Sequence, residues 1–69
     1  MEHNRIPRNF NRINAKILIE TSANKPGEIF HVYPKIGGYT GLNTATGLYY
    51  HIFPSMLRNK AITEIIEVI

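Results

Sequence analysis

The sequence predicts a small all-β domain, and three observations predict it. Residues 28–35 (EIFHVYPK) alternate Ile29, His31 and Tyr33 against Phe30 and Val32, the period-two pattern of a strand with two unlike faces. Glycine and proline punctuate the chain at short intervals, at Pro26-Gly27, Gly37-Gly38 and Gly47. In the tail, six of the eight residues 62–69 are β-branched, which suits a pleated strand.

The elements follow in order. Residues 16–20 (KILIE) read as a first strand with Ile17 and Ile19 on one face, followed by a seven-residue loop, 21–27, that ends on the Pro-Gly signal. The second strand runs through EIFHVYPK and is ended by Pro34, which has no N–H to give to a ladder. Gly37-Gly38 predicts a tight hairpin, residues 39–42 a third strand, 43–47 a second hairpin loop and 48–53 (LYYHIF) a fourth strand. Pro54 and Ser55 then favour one 3₁₀ turn over 54–57. In the tail, Ile62, Ile65, Ile66 and Ile69 also trace a helical stripe; the β-branched content favours the strand.

Before the first strand lies a segment of different texture, residues 1–14 (MEHNRIPRNFNRIN), rich in Asn and Arg. It predicts either a short helix over 7–13 or a disordered arm, because so short a helix is marginal in isolation. The expected division is therefore a basic N-terminal arm, 1–14, and a β-domain, 15–69. The arm sets Arg5, Arg8 and Arg12 against Glu2, while the rest of the chain balances five cations against four glutamates. The net charge of +3 thus belongs mostly to the arm.

Sixty-nine residues support one thin core, with about 60–65% of the unfolded chain's surface removed from water. There is no cysteine, so neither a disulfide nor a thiolate metal site is available. The longest apolar runs are far short of the roughly 20 residues that cross a bilayer, and no apolar core follows the N-terminal arginines. A soluble, cytoplasmic protein without membrane association is the expectation.

The order of five short strands, a long first loop, two tight hairpins and a turn before the last strand resembles that of SH3-like barrels. The stretch 47–57 (GLYYHIFPSML) is similar to the end of SH3 domains, where a strand closes on an aromatic-Pro-Ser step. The run 25–33 (KPGEIFHVY) is similar to the entry into their second strand. Residues 15–69 as a whole resemble small barrel proteins often encoded by bacteriophages and mobile elements. The resemblance implies a five-stranded SH3-like barrel, located in the host cytoplasm if phage-encoded. It does not extend to the ligand of peptide-binding SH3 domains. The chain has no Trp, and its first loop carries Lys25 with no acid until Glu28.

The chemistry-bearing residues are few. With no Cys, no Asp and no Ser in a nucleophile-elbow context, no nucleophilic triad can be assembled, and the glutamates form no acid/base pair. His31, His51 and Glu28 lack the spacing of a metal site, and strand histidines facing solvent are the expectation. No enzyme, metal or cofactor is expected. Tyr49 and Tyr50 are adjacent, so a strand sends them to opposite faces. With Tyr33 and Pro54 they are the candidate protein-binding residues, on a non-catalytic module that docks on a host or partner protein through a strand edge or a tyrosine patch. The alternative is nucleic-acid binding by Arg5, Arg8 and Arg12 together with Lys35, Arg58 and Lys60. Pairing between copies through the isoleucine-rich last strand is a further expectation.

Overall fold

A computed structural model describes residues 3–69; the first two residues of the expected arm lie outside the described residues. Five antiparallel strands form one sheet: β1 (Ile13–Ile17), β2 (Glu28–Lys35), β3 (Gly38–Asn43), β4 (Leu48–Ile52) and β5 (Thr63–Val68). A short helix, α1 (Pro54–Arg58), precedes β5. The spatial order is β4-β3-β2-β1-β5, so β4 and β5 are the two edges.

Pairing register explains which side chains are buried. Ile13, Ala15 and Ile17 stand opposite Val32, Phe30 and Glu28, and Phe30 and Val32 stand opposite Asn43 and Gly41. Side chains alternate across a strand, so these residues share one face with Tyr39, Tyr50 and Ile52. That face is the core: Ile13, Ala15, Ile17, Phe30, Val32, Ile52 and Leu57 are buried. The other face carries Asn14, Lys16, His31, Tyr33, Thr40, Leu42, Tyr49 and His51.

Several elements differ from expectation, each for a local reason. The first strand starts at Ile13, three residues early, because Asn14 and Lys16 can occupy the wet face while Ile13 pairs with Val32. Ile19 leaves the sheet and is 43% exposed. The first hairpin turns on Ile36 and Gly37, one residue early, with Lys35 opposite Gly38 and φ of 84° at Gly37. The turn before the last strand is α-helical and spans Pro54–Arg58, where a 3₁₀ turn was expected. Pro54 sits in its first turn, where no N–H is needed, and Leu57 anchors it in the core. The tail forms a strand, as its β-branched residues favour, with a register shift against β1 between Asn14 and Ala15.

Residues 3–12 form no helix. They run along the molecule as an irregular strap, with Ile6 and Phe10 packed against the core. The Asn4 side chain donates to the carbonyls of Leu57 (3.0 Å) and Thr63 (2.7 Å), and its backbone N–H donates to that of Arg58. Phe10 stacks on Tyr39 at a centroid distance of 6.0 Å. Hydrophobic cover for the open side of a thin sheet thus comes from this strap, α1 and the long loop.

Candidate protein-binding edge

The hydrogen-bond alternation of the sheet shows which backbone groups remain open on β4. Thr44 N–H donates to the Ile29 carbonyl, which makes 29/44 a bonded pair and, two residues on each time, 31/42, 33/40 and 35/38 as well. The even residues of β3 therefore face β2. Tyr39, Gly41 and Asn43 face β4, where they meet Ile52, Tyr50 and Leu48. It follows that Tyr49 and His51 direct their N–H and C=O groups away from the sheet, into the open edge.

The side chains along this edge are apolar, aromatic or neutral. Leu48 is 56%, Tyr49 64% and Phe53 60% exposed. His51 meets Phe53 edge-on, ring centroids 4.4 Å apart. No charged residue occurs between Leu48 and Phe53. Edge strands are commonly blunted by Lys, Pro or a bulge, and this one has none of them within its span.

The opposite edge is treated differently. β5 carries Glu64 and Glu67 on the wet face beside Lys16 and Asn14, and its pairing with β1 is broken by the register shift. Asn14 Nδ2 donates to Glu67 at 3.0 Å. The Thr63 carbonyl, which would otherwise project from this edge, accepts from Asn4. β5 was the strand expected to pair between copies; charge, shifted register and strap all interrupt it.

Of the residues singled out from sequence, Tyr33 and Tyr49 share the wet face of the sheet. Tyr50 does not join them: it faces the core and packs against Phe30, centroids 6.3 Å apart. Pro54 is half-buried at the start of α1. A single patch of these four residues is not assembled, because period two separates Tyr49 from Tyr50. Leu48, His51 and Phe53 take their place. The uncharged run LYYHIF was visible in the sequence, but nothing there said that this strand lies at an edge.

The cations fall in separate parts of the fold, three of them around Asn4. Arg5 and Arg58 lie on the strap and on α1, where Asn4 joins them, and Lys60 follows in the connection to β5. Arg8 lines a shallow groove with Phe10, Pro34, Val68 and Ile69. Lys35 is at the far end of β2, and Arg12 has its Nε buried without a hydrogen-bond partner. His31 and His51 share the wet face, whereas Glu28 lies on the other. Among the described residues, no group of three His or Glu side chains is placed to hold a metal ion. No helix among them is long and apolar enough to cross a membrane. No family model, curated protein or solved structure matches this chain.

Proposed function

We propose that this chain is a non-catalytic protein-interaction module that accepts an extended segment of a partner protein along β4. The observation that carries this reading is the uncharged open edge, where Tyr49 and His51 offer main-chain donors and acceptors beside exposed Leu48, Tyr49 and Phe53. Strand addition draws affinity from the main chain and selectivity from alternate side chains, which here are Tyr49 and His51 on the wet face. We read the sheet as an SH3-like arrangement, supported by the long loop after β1, the two hairpins and the helical turn before β5.

Proline at Tyr49 tests the reading. It deletes an outward N–H and leaves the β3–β4 ladder intact. Tagged wild-type protein should capture a protein from its native lysate, and Tyr49→Pro should lose that protein. Recovery of nucleic acid alone, or capture indifferent to the substitution, would sink the reading.

A further inference from the structure

We propose that the occupant of the β4 edge is a second copy of this chain, paired antiparallel about a two-fold axis at Tyr50. The inference rests on the reading of β4 as a strand-accepting edge and names its partner. Two residues carry outward main-chain groups, Tyr49 and His51, and they lie symmetrically about Tyr50. Turning a second β4 about that axis sets Tyr49 of one copy opposite His51 of the other, twice. Each such pair exchanges two N–H···O=C bonds, so all four outward groups of each strand are satisfied at once.

The side chains are self-complementary in the same register. On the wet face, the His51–Phe53 ring contact of each copy is extended by Tyr49 of the other. Charge points the same way. A two-fold axis brings a strand against its own sequence, so any lysine or glutamate between 48 and 53 would sit near its own repeat. There is none. The other edge of the same sheet holds Glu64 and Glu67 and is partly covered by Asn4, so one edge is closed to pairing and the other left fit for it. A single short strand pair buries little surface, which makes the dimer a reversible one.

Analytical ultracentrifugation of the purified full chain, from about 10 μM to about 1 mM, reads this directly. The mass should rise from 7.9 kDa toward twice that value with concentration. Two charged chains then test the register: one with Tyr49→Lys and His51→Lys, the other with Tyr49→Glu and His51→Glu. Each alone should remain monomeric with an unchanged circular-dichroism spectrum. Mixed one to one, they should dimerise, because lysine then faces glutamate at every bonded pair.

A wild-type chain that stays monomeric throughout, or charged chains that fail to recover a dimer on mixing, would overturn the proposal. Monomeric protein that still captures a different protein through Tyr49 would overturn the second copy and leave the edge reading standing. A dimer without any captured protein supports the second copy and removes the docking role.

Discussion

Asn43, fully buried at the end of β3, donates its side-chain amide to Glu28 Oε1 at the start of β2, 3.0 Å away. The same amide donates to the Ala23 carbonyl at 3.0 Å, and the same glutamate oxygen accepts the Lys25 N–H at 2.9 Å. The two residues thereby fasten the long loop to the sheet. Donation from Asn43 first, then from the Lys25 backbone, holds the Glu28 carboxyl below its ordinary value of 4.5. A carboxyl lowered by folding contributes stability above its unfolded pKa and loses it as pH falls through the folded value. Denaturant midpoints should therefore drop as pH is taken below 4.5. Glu28→Gln should flatten that part of the profile, and an unchanged slope would show that the carboxylate is not linked to folding.

Removing Asn43 should cost more than removing Glu28. Its Oδ1 accepts from the Ala45 N–H at 2.9 Å, so Asn43→Ala takes a partner from both the half-buried Ala23 carbonyl and the Ala45 N–H. The expected loss is about 1–3 kcal/mol, the range for leaving hydrogen-bonding groups without their partner. Chemical denaturation measures it. A loss under about 0.5 kcal/mol, the level of an unremarkable surface change, would mean that water replaces the side chain without penalty.

Gly41 is set by close approach. A Cβ placed there would lie 2.6 Å from Ile52 Cγ1 and 3.0 Å from Phe30 Cδ2, so the core on either side must move to admit it. Gly41→Ala should destabilise by about 1–3 kcal/mol, as overpacking does. Shortening the neighbour through Ile52→Ala, which removes Cγ1 and Cδ1, should relieve the clash on that side, so the double variant should lose less than the two single losses together. Strict additivity would show that the two side chains do not meet.

How far the fold can be read from the chain follows from the same residues. The β2 alternation was legible because its side chains divide between a core face and a wet face, and period two records that directly. β1 was misplaced because Ile17 fits both registers: Ile17-Leu18-Ile19 has the stronger local β-propensity, and Ile13-Ala15-Ile17 has the partners. Only pairing with Val32 and Phe30 decides between them, and pairing is not local. The strap was equally obscure. Asn4 is anchored by carbonyls more than fifty residues away, and Ile6 and Phe10 pack without periodicity. The candidate site was half legible: the aromatic run was visible, whereas the edge it lies on is a property of strand order.

The strap also sets how the basic residues must be tested. Because Ile6 and Phe10 pack against the core and Asn4 bridges α1 to β5, deleting the segment would remove stability along with charge. Asn4→Ala alone should cost about 1–3 kcal/mol by leaving the Leu57 and Thr63 carbonyls with one partner fewer. Arg5→Gln with Arg8→Gln should leave stability within about 0.5 kcal/mol, since both side chains are exposed. Any nucleic-acid affinity borne by these arginines would fall in the double glutamine variant and weaken steeply with salt. Titration of a fluorescent duplex and a fluorescent single strand at low and physiological salt makes the comparison. Because the cations are dispersed over the strap, α1 and the far end of β2, little affinity is expected at physiological salt from either chain. Tight binding by the wild type that the double variant loses would instead place the ligand site on the strap.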